Sequence, residues 1–151
     1  MNTLKTFTDN QIREEFVKRF SVIAGDKLGM AKDVYSYLST VYADIDATIE
    51  NFVVVFLNAQ NELIKSECLS SGSINTAAVY PREIIKKVIE YGASAIILSH
   101  NHPSGSLSAS GSDRALTKKL QAACNSIDVD VLDHLIMGNH EYISFADMRL
   151  L

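Results

Sequence analysis

Two uninterrupted apolar runs constrain the fold of this chain more than any other feature of its sequence. Residues 52–57 read FVVVFL, and residues 94–98 read SAIIL, which is apolar from Ala95 onward. Continuous runs of β-branched and aromatic residues are typical of strands buried on both faces. A helical pattern over residues 81–91 lies between them, so helices have to cover the sheet that these strands form. The alternation predicts an α/β or α+β class, with a mixed central β-sheet flanked by helices.

The flanking segments predict further elements of the same sheet. A short turn separates residues 52–57 from a second β-rich run, so the two are expected to pair as a hairpin. Pro81 suits the first turn of a helix, and Gly92 suits the position just after its end. The remaining predicted elements are strands at residues 63–69, 130–137 and 142–145 and a helix at residues 110–127.

The N-terminal third of the chain has a different pattern and is expected to be helical. Thr8 followed by Gln11 forms a capping box, and an apolar stripe recurs at four-residue spacing after it, at Ile12, Phe16 and Phe20. A second helix is predicted over residues 32–42, with its inward face at Val34, Leu38 and Val41. The character of the sequence changes at Glu50. The expected division is therefore a helical extension over residues 1–49 and a sheet-containing domain over residues 50–151.

Composition and charge exclude several classes of protein. A chain of 151 residues with 47% hydrophobic residues can bury a core without disulfides. The net charge of −4 lacks the basic footprint that nucleic-acid binding requires, so DNA association is not supported. No apolar run approaches the roughly 20 residues of a membrane helix. With no apolar signal segment at the start, a cytoplasmic location without membrane contact is expected.

The two cysteines, Cys68 and Cys124, are 56 positions apart and form no paired motif. A thiolate zinc site or a redox motif is therefore not expected. Free thiols fit a reducing compartment. Cys68 is predicted to pack in a strand and Cys124 in a helix.

Candidate chemistry is concentrated between His100 and Asp113. The pattern is His100-x-His102, ten further residues, and then Asp113 at the start of a predicted helix. Residues i and i+2 of an extended backbone project from the same face, so both imidazoles can point at one position. Two histidines and one carboxylate leave an open coordination position on zinc, which is typical of catalytic sites. The spacing therefore indicates a metal centre able to activate water.

Simpler interpretations of the same residues remain open. Ser110 and Asp113 also have capping-box spacing, and an acidic residue in a first helical turn is favoured by the helix dipole alone. His134 lies two positions from Leu132 and from Ile136, which favours a histidine packed in the core. The alternative for His134 is a hydrogen bond that orients a metal ligand.

The motif between residues 100 and 113 resembles the JAMM motif of the JAB/MPN domain, in the version found in the bacterial RadC family. It reads HNHPSG from residue 100 and continues through Ser110-x-x-Asp113. The resemblance extends over about residues 50–151 and includes Glu50-x-Phe52, VYPREI from residue 79, AIIL from residue 95 and LDHLI from residue 132. It implies a JAB/MPN-like fold, which is similar to that of cytidine deaminases.

The resemblance also implies a cofactor and a set of site residues. His100, His102 and Asp113 match the three Zn²⁺ ligands. Ser110 matches the serine whose hydroxyl helps to stabilise an oxyanion. Glu50 matches the distant glutamate that takes a proton from the metal-bound water and passes it to the leaving amine.

Other interpretations of these acidic residues stay open at this point. Glu62 and Glu67 compete with Glu50 for the role of general base. Glu50 itself can also be a solvated acid at the entrance of a strand.

Two functions follow as expectations from the resemblance. The first is a zinc-dependent metallohydrolase that cleaves a peptide or isopeptide amide bond in an unidentified peptide or protein substrate. The second is a non-catalytic binding module of the same fold, associated with DNA repair or mobile-element functions. RadC-like proteins carry a helix-hairpin-helix region before this domain. The segment before Glu50 shows no such motif, so DNA binding through that region is not expected.

Overall fold

The computed structural model describes residues 7–20, 24–72 and 79–151. The helices in these residues are α1 (Asp9–Phe20), α2 (Ala31–Tyr42), α3 (Pro81–Tyr91) and α4 (Gly111–Asn125). The strands are β1 (Glu50–Leu57), β2 (Leu63–Gly72), β3 (Ala95–Asn101), β4 (Asp130–Gly138) and β5 (Glu141–Ser144). They form one sheet in the order β2-β1-β3-β4-β5, in which β3 and β4 are parallel and the other pairs antiparallel. The predicted mixed sheet flanked by helices is confirmed.

Helix α3 shows how directly local sequence determines an element here. It begins at Pro81. Proline has no backbone N–H, and this costs nothing here because the N–H groups of a first helical turn have no partner within the helix. It ends at Gly92, which takes the left-handed conformation with φ 62° and closes the helix through its N–H. Both ends agree with the prediction. The hairpin of β1 and β2 is confirmed as well.

Strand β3 is longer than predicted. The sequence indicated a strand over residues 94–98 followed by a loop from His100, whereas the strand continues to Asn101. The reason is pairing on both sides: His100 lies opposite Phe52 of β1 and opposite Ile136 of β4. Partner strands on both sides satisfy the backbone groups, and this outweighs the turn-forming composition that follows. His100 is therefore held by the sheet itself.

The two faces of β1 contribute to two separate cores, which explains why its apolar run is uninterrupted. One core lies under α3 and α4 and contains Phe52, Val54, Phe56, Ile84, Val88, Leu116 and Leu120. The other lies under α2 and contains Val34, Leu38, Val53, Val55 and Leu57. At the end of the first core the apolar side chains give way to buried polar ones, at His100, Asp113, Thr117 and His134.

The N-terminal segment is helical where it is described. The capping box is present, with the Thr8 amide donating to Gln11 Oε1 over 3.0 Å and the Gln11 amide donating to Thr8 Oγ1 over 3.3 Å. Of the stripe after it, Ile12 contributes little to the core, since it is 56% exposed, and Phe16 is partly buried. The side chain of Phe20, like residues 1–6 and 21–23, lies outside the described residues.

Helix α2 shares a core with β1, which bears on how the chain is divided. Val34 and Leu38 are buried as predicted, and Val41 is partly buried. Residues before α2 also bond to the hairpin turn, as in the Leu28 amide that donates to the Asn61 carbonyl over 3.0 Å. A boundary between residues 49 and 50 stays a prediction. Over the described ranges, no helix has the length and apolar character needed to cross a membrane.

The cysteines differ from each other in exposure. Cys124 packs in the core of α4 as predicted, whereas Cys68 is exposed and the expectation of a packed residue is wrong. The reason is that β2 is an edge strand of the sheet, and most of its residues after Leu63 are only partly covered.

Candidate metal centre

Three side chains converge at the end of strand β3. His100 belongs to the strand, His102 follows it directly, and Asp113 lies in the first turn of α4. One ligand atom from each lies within 4.8 Å of the others. The two Nε2 atoms are 2.9 Å apart, and the Asp113 oxygens lie 3.3 Å from His100 Nε2 and 3.5 Å from His102 Nε2. The predicted residues are therefore together in space.

The loop after β3 turns the second histidine back toward the first. The His102 amide donates to the Met137 carbonyl over 2.8 Å, and the His102 ring nitrogen Nδ1 lies 2.7 Å from the Ser106 carbonyl oxygen. Gly105 has a φ of 80°, which favours glycine. A Cβ at Gly138 would lie 3.0 Å from the Gly105 carbonyl oxygen, so the close approach of the two backbones depends on the absence of a side chain at Gly138.

Asp113 is at once a helix cap and a member of the cluster. Its Oδ2 accepts from the Ser110 amide over 2.8 Å, and its own amide donates to Ser110 Oγ over 3.0 Å. This is the capping box that the spacing predicts, and it leaves Oδ1 facing His100. Burial favours a raised pKa for Asp113. The His100 ring and the Ser110 hydrogen bonds outweigh it, so the pKa of this carboxyl lies well below its usual range.

His134 contacts His100 through the ring nitrogen that faces away from His102 and Asp113. It is fully buried on β4, with Nε2 2.8 Å from His100 Nδ1 and Nδ1 2.6 Å from Thr117 Oγ1. Burial lowers the pKa of His134 well below its ordinary value, and the neighbouring His100 ring adds to this. His134 is thus a neutral histidine packed in the core and also the hydrogen-bond partner of a candidate ligand. The two interpretations of this residue that the sequence left open are compatible.

Glu50 lies at the entrance of β1, on the same face as the histidines. Phe52 pairs with His100 in the antiparallel ladder, so Glu50, two positions earlier on β1, projects from the same face beyond that pair. The Glu50 side chain is partly buried. Ser110 is exposed, and its oxygen accepts from the Asp113 amide while its hydroxyl hydrogen is left for another acceptor.

The competing glutamates lie elsewhere and have other partners. Glu62 lies at the hairpin turn, at the opposite end of β1, and accepts from Asn58 Nδ2 over 2.8 Å. Glu67 accepts from the Tyr91 hydroxyl and lies 3.4 Å from the ammonium groups of both Lys65 and Lys87. Of the three glutamates, Glu50 is the one at the end of β1 where Phe52 pairs with His100.

Asn101 was missed at the sequence level. This residue, between the two histidines, points to the other face of the sheet and is 7% exposed. Its Oδ1 accepts from the Asn51 amide over 2.7 Å, and its Nδ2 donates to the Ile49 carbonyl over 2.9 Å. These two backbone groups flank Glu50. The sequence signal that could have pointed to it is an amide residue in the middle of H-x-H, directly after an apolar run.

The donor set fits a small divalent metal. Imidazole nitrogen suits zinc and other first-row metals, and carboxylate oxygen completes a set of three that leaves a coordination position open. The two Nε2 atoms and the carboxylate face each other in a largely buried site, where a cation between them would neutralise the carboxylate charge. Holding a metal is thus what these three residues can do together.

A cavity of about 890 Å³ borders the cluster at His102. It lies between helices α1 and α2 and the turn that joins β4 to β5. Apolar and aromatic side chains contribute much of its lining, among them Ile12, Phe16, Tyr35, Tyr42 and Pro103. Its size is within the usual range for ligand-binding clefts.

Known proteins of one family match this chain. The family model "RadC-like JAB domain" matches residues 28–150. A UPF0758 protein of Actinobacillus pleuropneumoniae serotype 5b (strain L20) is 41% identical over 144 residues, covering 95% of this chain and 66% of the relative. A UPF0758 protein of Haemophilus ducreyi (strain 35000HP / ATCC 700724) is 40% identical over 147 residues, covering 95% and 65%.

A UPF0758 protein of Vibrio vulnificus (strain YJ016) is 43% identical over 123 residues, covering 82% of this chain and 54% of the relative. The chain thus spans just under two thirds of the length of the first of these curated relatives, and about half that of the Vibrio protein. Both the family model and the level of identity over nearly the whole chain lead to one conclusion: this chain belongs to the RadC-like JAB domain family.

Proposed function

We propose that the protein is a zinc-dependent hydrolase of the JAMM type that cleaves an amide bond in a peptide or an isopeptide. One observation carries the proposal: His100, His102 and Asp113 bring ligand atoms within 4.8 Å of one another and leave a coordination position open. Family membership supports the same chemistry. The substrate is proposed as a class only.

The chain's own residues have distinct roles in this reaction. His100, His102 and Asp113 would hold zinc, which lowers the pKa of bound water to about 7 and polarises a carbonyl. Glu50 accepts a proton as the water oxygen attacks the carbonyl carbon. The Ser110 hydroxyl donates to the oxygen on which negative charge develops. Glu50 then delivers its proton to the leaving nitrogen as the carbon–nitrogen bond breaks.

The surroundings of the cluster support a reaction with a peptide. Asn101 fixes the backbone on both sides of Glu50, so the general base is held by the strand that carries the ligands. The cavity beside His102 offers an extended apolar surface for the side chains of a substrate.

Metal analysis of the purified protein tests the proposal. The protein is prepared without a histidine tag, offered zinc, dialysed and analysed for metal, next to the variants H100A, H102A and D113A. We expect one zinc per chain in the unchanged protein and a loss of stoichiometric zinc in each variant. H140A, which alters an exposed histidine of the β4–β5 turn, is the matched control and should retain zinc.

An unchanged protein that holds no stoichiometric zinc contradicts the proposal. If the same protein also retards DNA in a gel at low salt, the binding-module function takes its place. The net charge of −4 gives that alternative no support.

A further inference from the structure

A continuous chain of three hydrogen bonds runs from helix α4 to the cluster. Thr117 Oγ1 lies 2.7 Å from the Asp113 carbonyl oxygen and 2.6 Å from His134 Nδ1. His134 Nε2 lies 2.8 Å from His100 Nδ1. Thr117 and His134 are 0% exposed and His100 is 1% exposed, so the whole chain is shielded from solvent.

The first bond of this chain fixes the direction of the others. A carbonyl oxygen can only accept, so the single hydroxyl hydrogen of Thr117 is donated to the Asp113 carbonyl. The Thr117 oxygen must then accept from His134 Nδ1–H. A neutral imidazole has one N–H, so His134 Nε2 is left as an acceptor. It accepts from His100, whose hydrogen is therefore on Nδ1.

The consequence for His100 is chemical rather than steric. With its hydrogen held on Nδ1, the nitrogen that faces His102 and Asp113 is Nε2, which is then available as a metal ligand. His102 reaches the same state by a separate route, because its Nδ1 can only donate to the Ser106 carbonyl. The tautomer of His102 is thus fixed by a backbone carbonyl, and the tautomer of His100 by the side chains of His134 and Thr117.

We propose that Thr117 and His134 are positioning residues that hold the hydrogen of His100 on Nδ1 and so keep its Nε2 available to a metal ion. The assignment of the hydrogens stands on the hydrogen bonds to Thr117, His134 and Ser106. It leaves the two Nε2 atoms, 2.9 Å apart, both without a hydrogen, an arrangement that a cation between them would satisfy. Its importance for metal binding rests on the proposed function. Groups that orient metal-binding histidines in this way typically change metal affinity by 10–100-fold, as an order of magnitude, when they are removed.

A role in packing alone predicts a different result. The His134 ring lies against Phe145, with centroids 4.7 Å apart, and meets the edge of Phe52 at 5.9 Å. Valine at position 117 keeps the shape of threonine and removes only the hydroxyl. If His134 merely fills space, T117V leaves both the tautomer of His100 and the zinc affinity unchanged.

The experiment compares T117V with T117S, which retains the hydroxyl. The proteins are labelled with ¹⁵N-histidine, stripped of metal, and studied by two-bond ¹⁵N–¹H correlation at about pH 8, where ordinary imidazoles are neutral. We expect His100 to carry its hydrogen on Nδ1 in the unchanged protein and in T117S. In T117V, His134 has lost its acceptor, and we expect the Nε2–H form of His100 to be populated.

Zinc affinity, measured by competition with a chromophoric chelator, is the second readout. We expect T117V to bind zinc roughly 10- to 100-fold more weakly and T117S to bind almost as well as the unchanged protein. Circular dichroism and thermal unfolding check that both variants fold. If T117V does not fold, the same comparison is made with H134Q, which keeps an acceptor toward His100, and H134L, which does not.

Two results overturn the proposal. One is a His100 hydrogen on Nε2 in the unchanged, metal-free protein, a measurement that needs no variant. The other is an unchanged tautomer and zinc affinity in a folded T117V. Because tautomers are read without metal, a protein that fails to bind zinc contradicts the proposed function and leaves the tautomer assignment standing.

Discussion

Asp113 shows that two interpretations of one residue need not compete. The capping box uses one carboxylate oxygen and the backbone amide, while the other oxygen faces His100. A cap also orients the carboxylate, because its position is fixed by the start of α4. The spacing Ser110-x-x-Asp113 could be read from the sequence as either role, and only the geometry shows that the two are compatible.

His134 and Asn101 mark the limit of single-residue prediction at this site. The period-two pattern of β4 places His134 in the core, but nothing in that pattern says which neighbouring strand is in register with it. His100 and His134 meet because β3 and β4 pair in parallel, with Leu98 opposite His134. The contact of Asn101 with the backbone around Glu50 depends in the same way on the pairing of distant segments.

The two cysteines allow a prediction for single side chains. Burial raises the pKa of the Cys124 thiol to about 11, so at about pH 8 this group is almost entirely the unreactive thiol. Its folded-state pKa is higher than the unfolded value, so the folded state disfavours the thiolate until the pH rises to about 11. Cys68 is exposed. With Ellman's reagent near pH 8, we expect one thiol to react rapidly in the native protein and two after unfolding in denaturant.

The variant C68S is the control for this assignment. It should show no rapidly reacting thiol in the native state and one thiol after unfolding. Rapid reaction of a native thiol in C68S would mean that Cys124 is not shielded in the core.

At the level of elements, the ends defined by local chemistry were predictable and the ends defined by pairing were not. Helix α3 begins at its proline and ends at its glycine because both residues act on their own backbone. Strand β3 extends to Asn101 because β1 and β4 provide partners on each side. The order of the strands in the sheet was not predicted, since neighbours such as β1 and β3 are separated in sequence by β2 and α3.

The link between β3 and the start of β1 can be tested through Asn101. In N101L the Asn51 amide and the Ile49 carbonyl both lose their bond to this side chain. The Ile49 carbonyl keeps a donor in Asn51 Nδ2, 3.0 Å away, so the Asn51 amide is the group left unpaired. Leaving a buried polar group unpaired costs about 1–3 kcal/mol, so we expect the free energy of unfolding in urea to fall by roughly that amount. We also expect faster hydrogen exchange at the Asn51 amide, because its acceptor is gone.

The control for this prediction is N10L, the same substitution at an exposed position of α1. It should leave both measurements nearly unchanged. If N101L exchanges the Asn51 amide as slowly as the unchanged protein, Asn101 does not hold the backbone beside Glu50.

For the whole molecule, the candidate ligands come from a strand, the loop that follows it and the next helix. His100 belongs to the sheet, His102 to the loop that follows it, and Asp113 to helix α4. A metal ion held by all three would connect these segments in the folded state and would have no comparable site in the unfolded chain. By mass action, binding of this kind stabilises the fold.

Metal removal therefore has a measurable effect on stability. At free zinc about 100 times its dissociation constant, the folded state should gain about 2.7 kcal/mol. For a domain of this size that corresponds to a rise of roughly 5–10 °C in Tm over the chelator-treated protein. In H102A, which lacks one of the three ligands, most of this rise should disappear, whereas the exposed-histidine variant H140A should show it in full. An equal rise in Tm in H102A would mean that zinc stabilises the protein by binding at some other site. The cluster at the end of β3 would then not be the metal centre.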